Sequence, residues 1–297
     1  MDPLVFALVA GAAVLHVAWN VLLKTAGDPL RAAAVGMTAA AAVIVPGAFV
    51  GWLAIGRPAI PSEAVLLGAA SGLLEAAYFG FLAAAYRRGD LSVVYPIARG
   101  TAPLLSVAVG IGVLGEHLGP EGLTGVALLL VGLLTLQRPW RFLRRTGGAS
   151  RDPAIAFALA TGVMITAYSA VDRVGSRVVE PWLYAGFIWA FCMVFLWAWV
   201  AISARLGNRP AGTVRSLDIR RAAIGGWITL AAYLLILVAF SVAPLTAVAP
   251  LRESAIVLAS GWGTLRLGEG GDRGEATRRI GASALVVLGA ILLALDG

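Results

Sequence analysis

Ten apolar runs fill nearly the whole chain: residues 4–23, 32–55, 62–86, 92–114, 120–137, 153–172, 182–204, 220–241, 245–265 and 278–295. Each is close to the roughly 20 residues that carry a helix across a hydrocarbon core of about 30 Å. No segment between them is long enough to form a soluble domain. Inside lipid a helix satisfies its own backbone, whereas an open sheet leaves edge groups unpaired. The expected fold is therefore all-α, a polytopic membrane protein with ten transmembrane helices. Composition agrees. Of the 297 residues 60% are hydrophobic and only 13% charged, too few charges to clothe a soluble core of this size.

A net charge of +7 would suit a nucleic-acid partner if the basic residues formed one surface, but they sit in short clusters between apolar runs. Eighteen of the 23 lysines and arginines fall in alternate loops: around Lys24 and Arg31, at Arg87 and Arg88, in 138–151, in 205–221 and in 266–279. The opposite loops hold three, Arg57, Arg173 and Arg177. The positive-inside bias places the basic loops in the cytoplasm and both termini on the other side of a cell (inner) membrane. Asp2 and Pro3 stand where a cleaved signal would carry basic residues, so the first run is expected to be retained. Cys192 is the only cysteine, and an intrachain disulfide is excluded.

The chain repeats itself. Leu91–Ser92–Val93–Val94–Tyr95–Pro96 matches Leu245–Thr246–Ala247–Val248–Ala249–Pro250 at an offset of 154, Leu114–Gly115–Glu116 matches Leu267–Gly268–Glu269, and Ala77–Tyr78 matches Ala232–Tyr233. Trp19–Asn20 with Lys24 has a weaker counterpart in Tyr168–Ser169 with Arg173. The division is a first five-helix repeat over 1–137, a basic loop over 138–152 and a second five-helix repeat over 153–297. Five is odd, so the second copy enters the membrane inverted. Inverted repeats are typical of secondary transporters that bind substrate near the midplane between the halves.

The segment Tyr95–Pro96–Ile97–Ala98–Arg99–Gly100–Thr101–Ala102–Pro103, the Leu–Gly–Glu ending the fourth and ninth spans, and His16–Val17–Ala18–Trp19–Asn20 with Lys24 resemble the drug/metabolite transporter superfamily, EamA branch. The resemblance covers nearly the whole chain. It implies a secondary transporter, in many members an exporter of amino acids, metabolites or drugs. One departure stands out: the second half has Pro250–Leu251–Arg252–Glu253 where the first has Pro96–Ile97–Ala98–Arg99.

Ionisable groups within a span cost from about 2.5 kcal/mol upward and normally face a cavity or a partner. Glu75, Arg99, Arg252 and Glu253 are the candidates for substrate binding or coupling. Their charges cancel, so the same four could form a buried structural network. Arginine presents a planar fork suited to carboxylate or phosphate, a midplane carboxylate suits an amine or a proton, and both together suit a zwitterion. Trp19, Tyr78 and Tyr95 are candidates for stacking on substrate, and Tyr168, Tyr233 and Trp227 belong to the same class of aromatics. His16 and Asn20 share a helix face at i and i+4. Pro96 and Pro250 precede the charges and are read as helix breaks that expose backbone. The four tryptophans of the seventh span, Trp182, Trp189, Trp197 and Trp199, read as packing or lipid-facing residues.

Gly110–Ile111–Gly112–Val113–Leu114–Gly115 matches a dinucleotide fingerprint in letters only, since no strand precedes it. Two histidines and one cysteine make no metal cluster, and no cofactor is expected. The expected function is a non-enzymatic carrier, moving a small polar or amphipathic metabolite across the membrane by alternating access, with export of an amino acid or related compound as the leading case. Its partners are that small molecule, the lipid bilayer and protons as a coupling ion; the oligomeric state is left open. The alternative is a membrane-embedded enzyme acting on a lipid or isoprenoid head group. That would need an acid/base pair or nucleophile clustered at one interface, whereas these charges lie at depth in both halves.

Overall fold

The structure is a computed structural model that describes residues 2–25, 28–88, 91–138, 153–205, 217–253 and 273–295. Nearly all of them are helical, and no strand occurs among them. The helices are α1 (Pro3–Thr25), α2 (Pro29–Ala54), α3 (Ser62–Tyr86), α4 (Leu91–Gly112), α5 (Pro120–Gln137), α6 (Pro153–Gly175), α7 (Pro181–Arg205), α8 (Ile219–Val242), α9 (Leu245–Glu253) and α10 (Arg273–Leu295). Each begins within a few residues of an expected span. Residues 139–152, and 254–265 of the ninth span, lie outside the described residues, as does Glu269.

Local chemistry sets the starts. Pro3, Pro29, Pro120, Pro153 and Pro181 each open a helix, where the missing N–H is no loss and the fixed φ suits the first turn. Asp28 caps α2 by accepting from the amides of Leu30 and Arg31 at 3.0 and 3.1 Å. Asp218 caps α8 through the Arg221 amide at 3.0 Å.

Five helices (α2, α3, α6, α7 and α8) are long and apolar enough to cross a membrane. Their outer faces are apolar as well. Val43, Phe49, Leu66, Leu73, Val194 and Ile202 are exposed along helix flanks, the pattern of an all-round apolar helix whose outer face meets lipid.

The contact registers fix the helix directions. Thr38 meets Trp197 while Gly51 meets Trp182, so α2 and α7 oppose each other. Gly68 faces Phe187 and Gly80 faces Trp199, so α3 and α7 run together. Likewise α1 opposes α8, with Gly11 against Leu235 and Leu22 against Gly225. Helix α3 opposes α6, with Ser71 near Asp172 and Tyr78 against Tyr168. Helices α4 and α6 run together, Gly162 lying on Ala98 and Thr166 on Ala102. Helix α9 opposes α4, and α10 opposes α5.

Small residues permit the closest approaches. At the α2–α8 crossing Gly36 and Gly226 lie backbone to backbone, and a Cβ on Gly36 would stand 2.9 Å from the Ala222 carbonyl oxygen. Between α5 and α10 a Cβ on Gly125 would stand 2.7 Å from the Gly289 carbonyl oxygen, with Leu129, Leu133 and Val286 filling the seam.

Candidate functional site: a charged aromatic cavity among seven helices

The central core is not sealed. A small cavity of about 40 Å³ is bounded by His16 and Trp19 of α1, Glu75 and Tyr78 of α3, Tyr168 of α6, Trp189 of α7, Tyr233 of α8 and Arg252 of α9, with Met37 of α2 completing the wall. Glu75 lies midway along α3, and its carboxylate is 4% exposed. The rings make a continuous set of edge and tilted contacts: Tyr78 on Tyr168 at 6.0 Å, Tyr168 on Tyr233 at 6.1 Å and Trp189 on Tyr233 at 4.9 Å between centroids. Such geometry favours flat or cationic organic groups.

Beside the cavity, Glu253 bridges the two arginines: Arg99 Nε to its Oε2 at 3.0 Å and Arg252 Nε to its Oε1 at 3.6 Å. All three are buried. The Arg99 guanidinium also lies 2.5 Å from His16 Nε2, and the Trp19 indole donates to His16 Nδ1 at 2.9 Å. Groups that can only donate thus face both ring nitrogens of His16, and a neutral imidazole accepts from one of them at a time. The line Trp19–His16–Arg99–Glu253–Arg252 therefore crosses from α1 through α4 to α9.

Of the residues singled out from the sequence, His16, Trp19, Glu75, Tyr78 and Arg252 line this one cavity. Arg99 lines an adjoining recess with His16 and Tyr78, and Glu253 stands behind it. The side chains of Asn20, Tyr95 and Pro96 lie outside the described ones. Pro96 and Pro250 do not end their helices: α4 and α9 continue past them. Trp189 is a fully buried packing residue, one of the two readings given for it, and it also forms part of the cavity wall. Trp227 is exposed, and its indole donates to the Ala39 carbonyl at 3.0 Å.

Asp172 is the residue that sequence reasoning missed. It is fully buried, accepts from the Tyr184 hydroxyl at 3.2 Å, and accepts a close hydrogen bond from the Tyr233 hydroxyl. Gly175 makes room for this arrangement: a Cβ there would fall on the Tyr184 ring. Arg173, expected in a loop, pairs instead with Glu116, Nε to Oε1 at 3.2 Å, and donates to the Phe240 carbonyl at 2.8 Å. Glu116 in turn accepts from the amides of Leu245 at 2.6 Å and Thr246 at 2.9 Å. One carboxylate from the α4–α5 connection so caps α9 and ties in α6. A wide cleft of about 490 Å³ opens beside it, bounded by Leu114, Glu116, Arg173 and Arg177.

No family model and no curated protein matches the chain. A solved crystal structure shares its fold with a TM-score of 0.68 at 21% identity, over 99% of this chain and 98% of its own. The likeness spans the full length and concerns the fold alone.

Proposed function

We propose that the chain is a secondary transporter of the drug/metabolite type, EamA branch, moving a small polar or amphipathic metabolite by alternating access. In this reading all ten helices cross the inner membrane as two inverted five-helix repeats, 1–137 and 153–297, with the basic loops cytoplasmic. Export of an amino acid or related compound is the favoured case.

One observation carries the reading: an aromatic cavity with ionic groups of both signs, Glu75 and Arg252, deep between helices of both sequence halves. The directions of the helices add support. Helices α6, α7, α8 and α9 oppose α1, α2, α3 and α4 in turn, and α10 opposes α5, as inversion requires. The contacts are exchanged under that pairing too, since α1 lies on α8 as α6 lies on α3, and α2 on α8 as α7 on α3.

The test is counterflow in proteoliposomes loaded with amino acids, phosphonates or cationic dyes. Saturable exchange of one class, abolished in inserted Glu75→Ala or Arg252→Ala protein, is the expected result. No exchange of any class, with insertion verified, overturns the reading.

A further inference from the structure

The cleft of about 490 Å³ beside the Glu116 junction shares no wall residue with the central cavity. Two arginines line it, Arg173 and Arg177, together with Glu116 and the apolar side chains of Leu114, Val174 and Val178. The chain keeps turning beyond the end of α6: the Arg177 amide donates to the Val174 carbonyl and the Val178 amide to the Gly175 carbonyl, each at 3.1 Å. The two arginines, four residues apart, thus keep helical spacing and reach the same opening.

Their bonding is unequal. Arg173 is anchored, with Nε on Glu116 at 3.2 Å and Nη1 on the Phe240 carbonyl at 2.8 Å, which leaves its Nη2 amino group without a partner among the described residues. Arg177 is exposed, and among the described residues its guanidinium makes no hydrogen bond or ion pair. Glu116 cannot serve both, because its two oxygens already take the amides of Leu245 and Thr246 as well as Arg173. Glu180, three residues beyond Arg177, is exposed and forms no ion pair among the described residues. The lining therefore holds one positive charge in excess.

The place of that charge is informative. The loops opposite the basic ones carry three arginines, Arg57, Arg173 and Arg177, and two of the three meet in this cleft. The positive-inside bias disfavours cations on that side. Glu116 accounts for Arg173 but not for Arg177. Arg173 is also the first residue past the apolar run 153–172, so in the membrane reading the cleft opens where the helices leave the hydrocarbon. Val113, beside Leu114, and Val242, two residues past Phe240, are exposed there as well.

We propose that this cleft is a binding site for an amphipathic anion, whose phosphate or carboxylate head is held by Arg177 and Arg173 and whose apolar part lies along Leu114, Val174 and Val178. The planar guanidinium fork suits such heads, and the apolar walls favour a ligand with a tail over a bare ion. Two sources share this chemistry: an acidic phospholipid of the adjoining leaflet and a soluble amphipathic acid. The site is separate from the transport cavity and stands without the carrier reading.

The experiment titrates hexyl phosphate onto the full chain in phosphatidylcholine nanodiscs by calorimetry. Saturable binding of one molecule per chain is expected, weakened about tenfold or more in Arg177→Gln and partly restored in Arg177→Lys. Val178→Glu, which cancels the excess charge, should weaken binding likewise, and Arg57→Gln should leave it unchanged. Native mass spectrometry of protein released from discs that also contain phosphatidylglycerol separates the sources. One retained phosphatidylglycerol per wild-type chain, lost in Arg177→Gln, assigns the site to acidic lipid; hexyl phosphate binding with none retained assigns it to a soluble acid. Neither binding nor retention, binding unchanged in Arg177→Gln, or equal losses in Arg177→Gln and Arg57→Gln overturns the proposal, as does inorganic phosphate binding as tightly as hexyl phosphate.

Discussion

Glu116 Oε2 accepts the backbone amide of Thr246 at 2.9 Å across 130 residues of sequence, and its other oxygen takes the Leu245 amide and Arg173. The Leu–Gly–Glu motif thereby has a physical role: an acidic cap supplied to a helix of the other sequence half. Glu116→Ala should cost about 1–3 kcal/mol through stranded amides and a lost ion pair, with Glu116→Gln intermediate because it still accepts. Thermal unfolding in detergent, followed by tryptophan fluorescence, checks the order.

Replacing Arg99 by Met leaves Glu253 buried with only the longer contact to Arg252. Unpairing a buried ion costs about 3–5 kcal/mol. The double variant Arg99→Met, Glu253→Gln should be less damaged than the two single effects together. Additive losses in chemical unfolding would show that the 3.0 Å pair is not coupled.

At the α2–α8 crossing a Cβ has nowhere to go. Gly226→Val should destabilise by at least about 1–3 kcal/mol from overpacking. Gly47→Ala is the control, since a Cβ there meets nothing within 4 Å. The difference in midpoint between the two variants measures the closeness of the contact.

Cys192 is fully buried, about one turn beyond the cavity residue Trp189 on α7. It should resist a membrane-permeant maleimide in the resting protein and react when substrate drives the cavity open. Mass spectrometry of labelled protein, with and without counterflow substrate, reads this directly.

The sequence made the fold legible because apolar length is a direct consequence of bilayer thickness. Glu75, Arg99, Arg252 and Glu253 were legible for the related reason that charge inside an apolar run demands a partner. Asp172 was not, because it is the last residue of the expected span 153–172, next to the loop residue Arg173, and a charge at a span end demands no partner. The helix in fact continues to Gly175, which places Asp172, fully buried, inside the bundle. The signal was present one turn later: Gly175, the residue that admits Tyr184. Trp189 could not be told from the other three tryptophans of α7, and only its packing against Tyr233 separates the wall of the cavity from the outer surface.

Arg99 finds Glu253 only after 154 further residues have been made, and Glu116 waits 129 for Leu245. During synthesis the early helices are therefore made while the counterparts of their charges do not yet exist. Burial of those groups is deferred to the moment α6 and α9 dock, which makes the arrival of the late helices the step that locks the bundle shut.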